Sequence, residues 1–152
     1  MPIRVQREDF DVGAEIAALR AGNRRIGAIA SFVGTVRELN EGQGVAAMTL
    51  EHYPGMTERA LEAICAQARE RWDLYDVLVI HRYGPLEPGD QIVLVVVASA
   101  HRGEAFAACE FIMDYLKTRA PFWKKERTSR GDRWVEARDS DTAAAGRWAL
   151  DD

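Results

Sequence analysis

Apolar residues recur along this chain with two periods, near 3.6 and near 2, and the switches between them lay out the elements. Ile3 to Gln6 predicts a short strand. From Asp11 to Ala21, Val12, Ile16 and Leu19 recur at helical spacing, and Gly22-Asn23 stops the run. Ile26 to Val36 is rich in Ile, Val, Ala, Phe and Thr and contains Gly27 and Gly34, which predicts a strand with bulges or close backbone contacts. Glu38 to Gly44 predicts a polar loop with room to move, and Val45 to Tyr53 the return strand of a hairpin. Pro54-Gly55 breaks that strand. Thr57 then caps a helix reaching about Leu74, with Leu61, Ile64, Cys65, Ala68 and Trp72 at helical spacing. Val77 to Tyr83 predicts a strand and Gly84 to Asp90 a turn. Gln91 to Ser99 is so apolar that it predicts a strand covered on both faces. A helix from about Arg102 to Thr118 ends before Pro121, and Phe122 to Thr128 with Arg133 to Ala137 predicts a last hairpin about Arg130-Gly131-Asp132.

The order β-α-β-β-α-β-β-α-β-β predicts an α+β sandwich rather than a doubly wound sheet. No linker divides the chain, so residues 1–152 read as one domain, with a loosely held tail over 139–152. A chain of 152 residues can bury roughly two-thirds of its unfolded surface without staples. The longest strictly apolar run, Ile92 to Ala98, is too short to span a bilayer. The first residues lack the apolar core of a signal peptide, and a soluble cytoplasmic protein is the expectation.

Charge changes this picture. The net charge is −4, yet Lys117 to Arg138 carries eight basic and three acidic residues, +5, and the rest of the chain −9. An acidic protein with one basic segment suits a discrete anion; the plain alternative is a solvated basic face.

Three places offer chemistry. At Ser99-Ala100-His101-Arg102-Gly103-Glu104 a buried strand gives way to a helix, whose free N–H groups and dipole favour an anion beside His101 and Arg102. At Lys117-Thr118-Arg119-Ala120-Pro121-Phe122-Trp123-Lys124-Lys125-Glu126, Lys117 ends one element and Lys124 begins the next, among aromatics and other cations. A lysine so placed loses its proton more readily and serves as base or nucleophile; the plain alternative is a surface pair of Lys117 with Asp114, worth well under ~1 kcal/mol. At Phe32-Val33-Gly34-Thr35-Val36-Arg37-Glu38, Arg37 stands where a strand meets a loop, a place for a guanidinium that clamps phosphate or carboxylate; the alternative is an exposed arginine paired with Glu38. No glycine-rich phosphate loop is present. Cys65 and Cys109 read as buried, inert thiols, and His52 and His81 as core or edge residues. Three histidines without clustered cysteines or carboxylates make a metal site improbable. Trp123 and Trp134 among basic residues suggest single-stranded nucleic acid, against which stand the acidic whole and the lack of an RNA-binding motif.

Taken together, several stretches carry a resemblance. They are Gly27-Ala28-Ile29 through Arg37, Leu50-Glu51-His52-Tyr53-Pro54-Gly55-Met56, His81-Arg82-Tyr83-Gly84 with Gly89-Asp90, Ala98 through Glu126, and Gly131 to Asp141. In them the chain resembles the catalytic (large) subunit family of molybdopterin synthase. The resemblance runs to about Asp141 and implies an α/β hammerhead fold with a small added β-structure. It implies an enzyme that converts cyclic pyranopterin monophosphate into the dithiolene molybdopterin. The sulfur comes as a C-terminal Gly-Gly thiocarboxylate on a small ubiquitin-like partner, in two transfers through a singly sulfurated intermediate. It implies a homodimer of large subunits with one small subunit at each end, a heterotetramer, and no metal or organic cofactor. It makes Lys117 the first choice for catalysis and Lys124 the second. Thr35, Val36, Arg37, His101, Arg102, Lys125, Glu126 and Arg138 join both lysines in holding the substrate and the partner's terminus.

One geometric expectation follows. His101 and Arg102 begin the helix that Lys117 ends, and fifteen residues of helix span roughly 22 Å. If both groups touch one small pterin, they come from different chains, and the pocket lies at a two-fold interface with Arg138 also crossing over. Two readings compete with the enzyme: a non-catalytic dimeric module binding a ubiquitin-like tail, and a nucleic-acid binder using residues 117–138, which predicts steep salt dependence.

Overall fold

The computed structural model describes residues 3–40, 43–128, 131–135, 145, 146 and 148; for residues 39, 40, 43–46, 123–128 and 131–135 it describes the backbone alone. In chain order the elements are β1 (Ile3–Gln6), α1 (Val12–Arg20), β2 (Ala28–Thr35), β3 (Leu39–Asn40), β4 (Gln43–His52), α2 (Met56–Arg71), β5 (Leu74–Arg82), β6 (Gly84–Leu86), β7 (Gln91–Ser99), α3 (Arg102–Arg119), β8 (Phe122–Thr128) and β9 (Gly131–Val135). The fold is α+β, with two sheets.

The first sheet has the order β1-β5-β7-β2. β1 runs parallel to β5, and the other pairings are antiparallel. β7 lies inside this sheet, and its residues from Val93 to Ser99 are all buried. Strand alternation sends Val93, Val95 and Val97 to one face and Leu94 and Val96 to the other. The first face meets α2 and α3 in the main core, with Leu61, Ile64, Ala68, Phe111, Ile112 and Leu116. The second is covered by Phe10 and by the short α1, none of whose residues is fully buried. Each fully buried Val or Leu contributes on the order of 1.5–3 kcal/mol, so the continuous apolar run of β7 is the main apolar spine of the fold.

The second sheet has the order β3-β4-β8-β9, with β6 also paired to β4. β6 follows β5 after a single residue, which ties this sheet to the Arg82 end of the first. Val36, Met48, Leu50 and Leu86 form its small core, with Ile92 and Phe122 packed against it.

Some boundaries differ from the sequence expectation. Thr57 is not the cap of α2: the cap is Gly55, at φ 85°, whose N–H donates to Glu58 Oε1 at 3.0 Å. Thr57 lies inside the first turn, wholly buried. Its hydroxyl donates back to the Tyr53 carbonyl at 2.8 Å and accepts from the Tyr53 N–H at 3.1 Å, closing the Pro54-Gly55 turn. Residues 84–86, expected within a turn, form β6, because Gly84, Pro85 and Leu86 face Leu50, Thr49 and Met48 of β4. The turn is confined to Glu87–Asp90, where the Asp90 N–H donates to the Glu87 carbonyl at 2.9 Å. The polar loop after Glu38 contributes β3, which pairs with the first residues of β4. Much of the expected loose tail lies outside the described residues, but Ala145 is buried and Trp148 half-buried against the main core.

Candidate functional site

β7 and α3 decide where the candidate residues go. α3 starts three residues after β7 ends and packs on β7 and β2, so it runs back along the sheet. From Gln91 to Ser99 the strand climbs roughly 26 Å at about 3.3 Å per residue. His101 and Arg102 stand at the far end of that climb, whereas Lys117 has returned to the near end.

The far end is a strand-to-helix junction. His101 is the N-cap residue of α3 in extended conformation, and its side chain makes no capping hydrogen bond. His101, Arg102 and Gly103 are exposed, beside first-turn N–H groups with no partner within the helix. The buried Ser99 hydroxyl, whose one proton is shared between the Asp73 carbonyl (2.9 Å) and the Glu104 carboxylate (3.0 Å), holds the junction from beneath. Gly27 is required here: a Cβ at that position would lie 2.2 Å from the Ala100 carbonyl oxygen.

The near end gathers three elements. β2 ends at Thr35. The Val36 N–H then donates to the Asp90 carbonyl at 2.9 Å, and the Gly89 N–H donates to the Val36 carbonyl at 2.8 Å. Val36 is buried, so it supports Arg37 from the core, while Thr35 and Arg37 are exposed. Lys117 lies exposed in the last turn of α3 together with Arg119, where cations complement the helix dipole. The Arg119 guanidinium sits 3.8 Å above the centre of the buried Tyr115 ring. The chain turns at Ala120-Pro121 and enters β8, where the backbones of Lys124, Lys125 and Glu126 face Leu50, Thr49 and Met48 of β4. Arg138 lies outside the described residues.

Phe122, between the two lysines, is fixed by the sheet below. His81 is 4% exposed and stacks on its ring at 3.7 Å and 16°. His81 Nδ1 lies 2.8 Å from the Arg82 carbonyl, which only accepts, so Nδ1 carries the proton. His52 approaches the same ring at 6.1 Å, and its Nδ1 donates to the Thr57 hydroxyl at 3.0 Å. Both histidines are therefore packed and hydrogen-bonded. Their role as an anchor for Phe122 could not be read from spacing, because they are 29 residues apart in the chain.

Both thiols are buried. Burial pushes Cys65 up to about 12 and Cys109 up to about 11, so neither forms a thiolate readily near neutral pH. Among the described residues, no helix is long and apolar enough to cross a membrane.

The described residues form an α+β fold with basic side chains at both ends of α3 and both cysteines buried. Residues 5–119 match the family described as MoaE protein. A molybdopterin synthase catalytic subunit from Ralstonia nicotianae is 69% identical over 148 residues, covering 97% of this chain and 84% of that one. Another, from Pseudomonas aeruginosa, is 61% identical, covering 97% and 99%. The solved MoaE protein from Burkholderia ambifaria has a TM-score of 0.83 at 62% identity, covering 97% of each chain. The chain belongs to the MoaE family, and it is an enzyme of molybdenum cofactor biosynthesis.

Proposed function

We propose that this chain converts cyclic pyranopterin monophosphate into molybdopterin, using sulfur from a small ubiquitin-like partner with a C-terminal Gly-Gly thiocarboxylate. A relative named a catalytic subunit implies a second subunit beside it. Net, sulfur and oxygen change places in each transfer. A carbon–oxygen bond of the pterin becomes a carbon–sulfur bond, the acyl–sulfur bond of the carrier breaks, and the carrier leaves as a carboxylate with no change in oxidation state. Two transfers through a singly sulfurated intermediate complete the dithiolene. No thiol of this chain is needed, in keeping with the burial of Cys65 and Cys109.

Lys117 is the catalytic residue, moving a proton at the reacting carbon or at the carrier's acyl group, and Lys124 assists it. Thr35, Val36, Arg37, His101, Arg102, Lys125, Glu126 and Arg138 hold the pterin phosphate and the carrier's terminus. Charge-assisted bonds from guanidinium and from helix N–H groups suit both anions. The reaction runs in the cytoplasm, where thiocarboxylates are kept from oxidation.

The observation that carries this reading is the separation of the two cationic groups along α3. A small pterin cannot touch both ends of an 18-residue helix. We therefore place the site between two copies of this chain: Lys117, Lys124 and Arg37 come from one, His101 and Arg102 from the other. A single-turnover reaction with thiocarboxylated partner and cyclic pterin, followed by mass, tests it. Wild type should add two sulfurs and folded Lys117→Ala none. Tight partner binding without sulfur transfer by wild type would leave only a binding module.

A further inference from the structure

We propose that Trp148 is a positioning residue for this reaction: docked across α2 and α3, it fixes the turn of α3 from Asp114 to Lys117. The proposal rests on the assignment of Lys117 above.

Trp148 is 77 residues from Arg71 and 34 from Asp114 in sequence, yet it joins them. Its indole N–H donates to Asp114 Oδ2 at 2.7 Å. Its backbone carbonyl accepts from Arg71 Nη2 at 2.7 Å. Its ring meets Trp72 edge-on at 5.7 Å and 87°, and Phe111 at 5.6 Å and 82°. The Arg71 guanidinium lies in turn 4.6 Å from the centre of the Phe111 ring. The Trp148 N–H donates to the carbonyl of Ala145, itself buried in the main core. This is a keyed contact, with ring, indole donor and main-chain acceptor all satisfied.

Its place on α3 gives it a consequence. Asp114 and Lys117 are three residues apart, so their side chains are neighbours on one helix face. Beyond Lys117 the helix has less than one turn left before Pro121 and lacks the hydrogen bonds of a continuing ladder. Thr118 Oγ1 donates to the Asp114 carbonyl at 3.2 Å, so Asp114 ties the turn through its main chain as well as its carboxylate. Holding that carboxylate from outside the helix removes freedom from the turn before the substrate arrives. Pre-organisation of this kind acts on the rate, and misplacing a group by about 1 Å can cost on the order of 100-fold.

Steady-state and single-turnover rates of Trp148→Ala, Trp148→Phe, Asp114→Ala and the double variant Trp148→Phe/Asp114→Ala, each with the thiocarboxylated partner, test the proposal. Trp148→Ala should lower kcat about 10- to 100-fold with KM within about twofold. Trp148→Phe keeps an aromatic ring and loses the donor, so it should restore part of the rate and should fold even if the alanine variant does not. The double variant should be no slower than the slower of its two single variants, because both remove one bond. Ile64→Val, a mild core change on α2, serves as the stability control and should lower Tm while leaving kcat alone. An unchanged kcat in Trp148→Phe, a loss confined to KM, or an additive double variant would overturn the proposal. Lys117→Ala run in parallel separates the two assignments. If it stays active, the lysine assignment fails; if it is dead while both Trp148 variants match wild type, only the role of Trp148 fails.

Discussion

The two ends of α3 solve opposite problems with the same helix. At Arg102 the helix begins with unpartnered N–H groups facing outward, and the junction is held from below, by Ser99 reaching Asp73 and Glu104. At Lys117 the helix ends among cations, and the turn is held from the side, by Trp148 on Asp114. The first end presents backbone N–H groups that a change at Arg102 leaves in place. The second carries the charged side chain of Lys117 on a turn whose Asp114 is bonded by Trp148, 34 residues away in sequence. Removing a side chain should therefore cost less at the first end than at the second.

The largest expected effect follows from that separation. Lys117→Ala should lose about 10²- to 10⁴-fold in rate, the range of a general acid–base group. Arg102→Ala should lose less. Mixing the two variant chains should add intact sites worth about a quarter of wild-type activity to whatever Arg102→Ala retains, since half of randomly re-formed dimers are mixed and each then has one intact site of two. No recovery after verified subunit exchange would place the whole site in one chain.

Next comes Phe111→Ala, which empties the centre of the Trp72, Trp148 and Tyr115 cluster and should destabilise by about 3–5 kcal/mol in denaturant unfolding. Ser99→Ala at the opposite end removes a buried hydroxyl and should cost about 1 kcal/mol; an equal loss in both would erase the difference between the ends. The smallest effect concerns the thiols. Raised to about 12 and about 11 from an ordinary 9.0, Cys65 and Cys109 should alkylate at pH 8 about 100- to 1,000-fold more slowly in the folded protein than in urea. Fast native labelling would reopen a role for cysteine.

Much of the fold was legible because burial writes periodicity into the chain. β7 announced itself by seven consecutive apolar residues, and it is buried throughout from Val93. α3 ended where Pro121 required. The errors fell where pairing outranks local preference. Gly84-Pro85-Leu86 has turn composition, but β4 offered it an unpaired edge. Thr57 has the chemistry of a cap, but its hydroxyl closes a turn instead. Of the candidate site, Arg37, Arg102 and Lys117 were visible as cations at element ends, and His101 as a polar side chain where α3 begins. The packing around them was not: Trp148 sits in a stretch with weak signals, and its partners Asp114 and Arg71 lie 34 and 77 residues away.

By itself, the sequence determined which segments form strands and helices, that they make an α+β fold, and which residues resemble a known family. Those properties depend on local spacing and on residue type. Only the tertiary structure decided that α3 packs against β7 and β2, that His81 stacks on Phe122, and that Trp148 closes on Asp114. These contacts join residues remote in the chain, and no period or composition encodes them.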